Sequence, residues 1–185
     1  MVEASRADAR RNHERLLIAA HEVFGKEGSE SSLREIARRA GVGIGTLYRH
    51  FPTRESLLEA LIRDSVEQLR DRADQLARTV PPERALITWL QDFVQRTNSY
   101  GGMPAAIVAA LHNRRSDLYA SCEAMRVAAG ELLARAQQVG AVRPDVTATE
   151  LFALASGVAL VADQMPYGKA LVDRLLTLMM SGLAR

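Results

Sequence analysis

Thr46, Tyr48, Arg49 and His50 set a hydroxyl, a phenol, a guanidinium and an imidazole within five consecutive positions, interrupted only by Leu47. All four side chains can donate hydrogen bonds, so the stretch is suited to approaching a polar partner. The neighbouring residues supply the elements that position it. Ser32 and Glu35 have the spacing of a capping box, in which the serine takes an orphan amide and the glutamate reaches back. Leu33, Ile36, Ala37 and Ala40 recur at i, i+3, i+4 and i+7, the apolar stripe of a packed helix. Gly41 follows as a helix stop, and Gly43 can open a second helix whose Leu47 and Phe51 point inward. Two short helices joined by a glycine turn are the layout of a helix-turn-helix, whose second helix enters the DNA major groove.

Enzyme signatures are missing. Gly41, Gly43 and Gly45 alternate, but no strand precedes them, so they form no dinucleotide loop. There is no P-loop and no nucleophile elbow. The four histidines, His13, His21, His50 and His112, are scattered, and no metal or other cofactor is implied. A single cysteine excludes an intrachain disulfide and fits a reducing cytoplasm. Charges stand in the N-terminal segment where a signal peptide would need its apolar core. The longest apolar run, 151–162, is 12 residues, against the roughly 20 that span a bilayer. No membrane partner is expected, and the cytoplasm is the expected location. The net charge of +2 does not by itself announce a nucleic-acid binder, although residues 1–54 carry ten Arg and Lys against seven Asp and Glu.

Every periodic segment reads helical, so the expected class is all-α, with about nine helices. Residues 1–9 read as a polar arm. Leu16, Ala20, Val23 and Phe24 define a first helix that Gly28 ends. Thr53 caps a fourth helix sustained by Leu57, Leu58, Leu61, Ile62, Leu69 and Leu76 to about residue 78. At 1.5 Å per residue it spans roughly 35–40 Å, long enough to bridge two modules, and Pro81 and Pro82 stop it. Further helices are expected over 84–100, with Leu86, Leu90, Phe93 and Val94 inward, and over 104–112, 117–139, 148–163 and 170–183. Thr147 and Glu150 form a second capping box.

The eighth segment is apolar on two stripes, Leu151, Leu154, Val158 and Val161 on one and Phe152, Ala155, Ala159 and Ala162 on the other. Such a helix must be covered on all sides. A central position within one chain would satisfy it. So would a second copy, with Leu171, Leu175, Leu178, Met179 and Gly182 of the ninth segment completing a four-helix interface. Ligand sites between helices are mostly apolar with a few orienting polar groups. Trp89, Phe93, Met103, His112, Tyr119, Cys122, Met125 and Phe152 are the candidates to line one, and the same residues could equally be core. Their character points to an apolar or aromatic ligand oriented by Tyr119 or His112.

The run Gly-Thr-Leu-Tyr-Arg-His-Phe at 45–51, with Pro-Thr-Arg-Glu-Ser-Leu-Leu at 52–58 and the segment 15–28, resembles the DNA-binding domain of the TetR/AcrR family of bacterial transcriptional repressors. The match covers roughly residues 11–62. The resemblance implies a helix-turn-helix DNA-binding domain over 1–54 and a helical ligand-binding and dimerisation domain over 55–185. It implies a double-stranded operator, a small-molecule effector that relieves repression, and a homodimer through the eighth and ninth segments. Carried over residue by residue, Tyr48 and His50 donate to phosphates, while Thr46, Arg49 and the Gly45 backbone lie near base edges. Arg54 holds a phosphate of the flanking strand, and Ser32 and Arg34 join the DNA contacts. Gly43 stands where the family commonly caps with serine or threonine, a difference of only a few tenths of a kcal/mol. Ile44 replaces a polar or small residue and could meet a thymine methyl or pack on its neighbours. The alternative reading is a helical interaction protein on the same scaffold that does not bind an operator.

Overall fold

The computed structural model describes residues 2–97, 113–164 and 168–184, with side chains over 7–97, 113–162 and 170–184. Among the described residues there are eight helices and no strand. They are α1 (Val2–Glu27), α2 (Leu33–Arg39), α3 (Ile44–His50), α4 (Arg54–Thr79), α5 (Pro82–Thr97), α6 (Asp117–Gln138), α7 (Ala148–Gln164) and α8 (Gly168–Leu183). The helix expected over 104–112 lies outside the described residues. The chain forms two compact units, one of Met1–Asp64 with Ser99–Asn113 and one of Ser65–Asn98 with Arg114–Arg185. The continuous helix α4 supplies residues to both.

In the first unit, α1 extends back to Val2, where a polar arm was expected. Residues 2–11 hold neither proline nor glycine and are rich in Ala and Arg, strong helix formers. The core consists of Leu16, Ala20, Val23 and Phe24 from α1, Ile36 and Ala37 from α2, Leu47 and Phe51 at α3, and Leu57, Leu58 and Leu61 from α4, each no more than 3% exposed.

The capping box expected at α2 does not form. Ser32 is the N-cap residue, but its side chain bonds no helix amide. Glu35 turns instead to its own helix. Its Oε1 accepts from Arg38 Nη2 at 2.6 Å and Arg39 Nε at 2.7 Å, and its Oε2 from Arg38 Nε at 2.8 Å. These charge-assisted bonds hold its carboxyl at a pKa of about 2. Two other caps are reciprocal. Ser56 N–H donates to Thr53 Oγ1 and Thr53 N–H to Ser56 Oγ, both at 3.1 Å. Thr147 N–H donates to Glu150 Oε2 at 2.8 Å and Glu150 N–H to Thr147 Oγ1 at 3.2 Å, a complete capping box.

The turn between α2 and α3 is fixed by its backbone. Gly41 has φ of +66°, Gly41 N–H donates to Arg38 O at 3.1 Å, and Val42 N–H donates to Ala37 O at 3.0 Å. This is the Schellman pattern, which satisfies two orphan carbonyls of α2 and turns the chain into α3.

In the second unit α5 is the hub and packs against α6, α7 and α8. Pro82 opens it, at the position where a missing N–H costs nothing. Its Leu86, Trp89, Leu90 and Val94 are fully buried. They face Leu118, Ala129, Leu132 and Ala136 of α6, Leu151, Ala155 and Ala159 of α7, and Val172 and Leu176 of α8, which are also buried. Polar ties join the helices: Arg72 Nε to Asp92 Oδ2 at 2.9 Å, Gln91 Nε2 to Asp173 Oδ1 at 3.0 Å, and Arg135 Nη1 to the Ala77 carbonyl.

Gly41→Ala is expected to cost about 1–2 kcal/mol, because a Cβ disfavours the left-handed conformation by that amount and would also displace the Arg15 guanidinium beside it. Gly45→Ala, inside α3 with open space around it, should instead gain about 0.5–1 kcal/mol. Denaturant unfolding of the two variants checks the contrast.

Candidate functional site

Helix α3 has seven residues and divides its side chains sharply. Leu47 is fully buried, and Phe51 N–H closes the helix on Leu47 O at 2.8 Å, with the Phe51 ring 3% exposed. The opposite side carries Gly45, Tyr48 and Arg49, all exposed, with Ile44, Thr46 and His50 half-buried on its flanks. Arg49 folds back along the helix. Its Nε–H donates to Gly45 O at 3.2 Å and its Nη2–H to Thr46 Oγ1 at 3.1 Å. Gly45, Thr46 and Arg49 are thus brought together as one hydrogen-bonded group. Ser32 and Arg34 are exposed at the start of α2.

Arg54 is engaged differently from the sequence expectation. Its Nη1 donates to Ser29 O at 2.6 Å and Ser31 O at 2.7 Å, and its guanidinium carbon lies 5.9 Å from the Phe24 ring centroid. The first residue of α4 therefore clamps the loop between α1 and α2. Its acceptors are backbone carbonyls 25 and 23 residues away, which no side-chain pattern in the sequence marks.

A residue that sequence reasoning missed is His13, on α1. Its ring centroid lies 4.9 Å from that of Phe51, tilted by 35°, and 5.9 Å from that of His50, edge-on at 62°. Partial burial pushes its imidazole below the ordinary histidine value. The charges of His50 and Arg63 push the same way, against the weaker pull of Glu14 and Asp64. The signal was present in the sequence, since His13 stands three and seven positions before the core residues Leu16 and Ala20.

In the second unit the candidates fall into two groups. Trp89, Phe93 and Phe152 form one aromatic cluster. Trp89 and Phe93 stack at 5.5 Å and 18°, and Phe152 meets them edge-on at 5.6 and 5.4 Å, geometries that the ring quadrupoles favour. Trp89 is fully buried and its Nε1–H donates to Leu69 O at 2.8 Å, so it is a core residue whose only donor is committed. Phe93 and Phe152 are half-buried. Tyr119, Cys122 and Met125 follow one another at three-residue intervals on α6, the first two half-buried and Met125 5% exposed. Burial raises the Cys122 thiol above its ordinary value, against the opposing charge of Arg126, which disfavours the reactive thiolate. Met103 and His112 lie outside the described residues. Among the described residues no three His, Cys, Asp or Glu side chains cluster to hold a metal ion.

Comparison with known proteins covers both units. Residues 16–61 match the family model described as bacterial regulatory proteins, tetR family. Residues 81–185 match the model for the SbtR-like transcriptional regulator C-terminal domain. The crystal structure of a TetR transcriptional regulator from Streptomyces coelicolor is 38% identical, with a TM-score of 0.75 over 93% of this chain and 98% of that one. A TetR transcription regulatory protein from Mycobacterium vanbaalenii is 34% identical, with a TM-score of 0.67 over 97% and 99%. An HTH-type transcriptional regulator of Staphylococcus aureus (strain USA300) is 40% identical over 63 residues, so the matched stretch spans 34% of this chain and 34% of that curated relative.

The aromatic cluster gives a stability test of core against lining. Trp89→Ala should cost about 3–5 kcal/mol, the range for deleting a large buried aromatic. Phe93→Ala should cost clearly less, since Phe93 keeps part of its surface in water. Urea unfolding followed by circular dichroism measures both. Equal losses would mean that Phe93 is as much a core residue as Trp89.

Proposed function

This chain belongs to the TetR family of bacterial transcriptional regulators, and on that premise we propose that it is a dimeric repressor released from a palindromic operator by a small apolar or aromatic effector. The observation that carries the DNA half of this reading is the two-sided character of α3, anchored by Leu47 and Phe51 and exposing Tyr48 and Arg49. In this reading residues 1–54 are the DNA-binding domain and 55–185 the effector-binding and dimerisation domain. Tyr48 and His50 donate to phosphates, which position the protein without reading sequence. Arg49, released from its intrahelical bonds, reads a guanine edge with both arms of its fork, beside Thr46 and the Gly45 backbone. Ser32, Arg34, Ile44 and Arg54 complete the DNA face, with Arg54 offering a phosphate whichever of its N–H groups the loop carbonyls leave over.

Support for the dimer comes from surface left uncovered on α7 and α8. Leu154 is 46% exposed, Val161 40% and Leu178 50%, with Val158, Leu171, Leu175 and Met179 half-buried beside them. Apolar side chains at i, i+4 and i+7 along 171, 175 and 178, continued by Gly182 at i+11, make one helical stripe. A second copy of the chain related by a two-fold axis would cover it with the same surface. The effector is proposed to lie against Phe93, Phe152, Tyr119, Cys122 and Met125, with Trp89 behind them and Met103 and His112 contributing. Its binding favours a conformation in which the two recognition helices no longer match the half-sites, and α4 carries the change. The shift can be no larger than the effector's differential affinity for the two states. The protein acts in the cytoplasm in this reading, and no helix among the described residues is long and apolar enough to cross a membrane.

A gel shift on DNA flanking its own gene, repeated across a salt series and with candidate effectors, tests the reading as a whole. Tyr48→Phe should weaken binding to operator and scrambled DNA alike. Arg49→Ala should relax preference at one base position by about 1–3 kcal/mol, and equal losses on both DNAs would remove it from base reading. Val158→Glu and Leu178→Glu place a charge opposite its own copy at the proposed two-fold interface, where desolvating an unpaired ion costs several kcal/mol. Sedimentation should then report helical monomers with weakened operator binding. Two dimeric variants would put the interface elsewhere.

A further inference from the structure

The residue not absorbed by the functional reading is His13. It belongs to α1, yet its ring touches the two residues that end the recognition helix, Phe51 and His50. His50 also lies within ring contact of Phe51, at 6.3 Å, so the three rings form one group. We propose that His13 is a positioning residue for the recognition helix, its neutral ring holding Phe51 and His50 in place. The DNA consequence below rests on the reading of His50 as a phosphate donor.

The physical case is one of charge and packing. Phe51 is 3% exposed and fixes the end of α3 against the first unit's core. A neutral imidazole against an aromatic ring costs little, whereas an imidazolium there would be partly desolvated. It would also stand beside a second imidazole on α3 and the Arg63 guanidinium on α4. Glu14 on its own helix and Asp64 on α4 are the acidic groups that face it, and they offset only part of this. Burial, with the charges of His50 and Arg63, therefore keeps the His13 pKa below the usual histidine value. A depressed pKa in the folded state means that the stability His13 contributes is fully present above the unfolded value of about 6.5 and is lost as pH falls through the folded value. Charging His13 would loosen the packing that seats the end of α3, so a neutral His13 serves the contact that His50 makes, and that support weakens as pH falls through the His13 titration.

Imidazole proton resonances of the full-length protein, followed by NMR between pH 5 and 8, test the pair without DNA. His13 should titrate below the usual histidine range. Its midpoint should rise in His50→Gln, which removes a neighbouring group that lowers it. A His13 midpoint that ignores that substitution would overturn the proposal. Fluorescence anisotropy on labelled operator DNA tests the consequence. Wild type and His13→Phe, which keeps a ring against Phe51, should bind alike at pH 7.5, while at pH 5.5 the variant should bind more tightly by up to about threefold, the factor by which affinity falls at low pH when the bound state holds the His13 pKa half a unit lower. A ratio that is the same at both pH values would reduce His13 to packing alone and sink the positioning role. If the His13 shift appears in the NMR but wild type binds no DNA at any salt, the operator reading fails and the packing of His13 against the end of α3 stands. Should His13→Phe lose helicity, His13→Gln with the same titrations decides.

Discussion

A helix of seven residues has almost no stability of its own, because nucleation costs more than so few hydrogen bonds return; isolated helices below about 12–15 residues are marginal in water. Helix α3 is such a helix, and everything proposed for the DNA face depends on what holds it. Its anchors are Leu47, with no exposed surface, and Phe51, which caps its end and packs against His13. The Schellman turn at Gly41 sets where it starts. The polar groups on the other side are therefore positioned by apolar ones. Their precision is that of the first unit's core.

Electrostatics around this face are largely internal. Arg38 and Arg39 converge on Glu35, Arg49 on Gly45 and Thr46, and Arg54 on two loop carbonyls. This explains how a chain with a net charge of only +2 can present an orderly set of guanidinium groups. Each is oriented by a partner within the unit, and each such bond must be exchanged or shared when a phosphate or base edge arrives. Ordering the side chains in advance lowers the entropy lost on binding, while the existing bonds lower the net gain. The exposed ion pairs that Arg38 and Arg39 make with Glu35 are individually weak, so their exchange is not prohibitive.

Much of the fold was legible because it rests on local rules. Helical periodicity marked Leu16, Ile36, Leu57, Leu86 and Leu90 as core, and each is buried. The glycines at 28, 41 and 140 have positive φ, and each directly follows or lies two positions past a helix end. The two-sided α3 was legible for the same reason. What escaped was chemistry settled by competition between possible partners, local in one case and tertiary in the others. Glu35 has the spacing of a capping residue, but two arginines one turn on outcompete the Ser32 amide for its oxygens. Arg54 and Trp89 both donate to backbone carbonyls, of Ser29 and Ser31 and of Leu69, and backbone acceptors leave no trace in residue types. Trp89 is a large aromatic on α5 whichever way it faces, so sequence alone could not separate a core tryptophan from one that lines a cavity.

The Arg54 clamp also bears on the order in which the chain acquires structure. Its two bonds close over 25 and 23 residues, whereas the Gln91–Asp173 tie that joins α5 to α8 spans 82. Contacts close in sequence form quickly, and distant ones wait on the closure of long loops. During synthesis, which proceeds at roughly 5–20 residues per second from the N-terminus, the loop between α1 and α2 can be locked as soon as the start of α4 has emerged. The tie that fastens the hub helix α5 to α8 closes a loop more than three times as long, so the loop-closure entropy that must be met before it forms is the larger of the two.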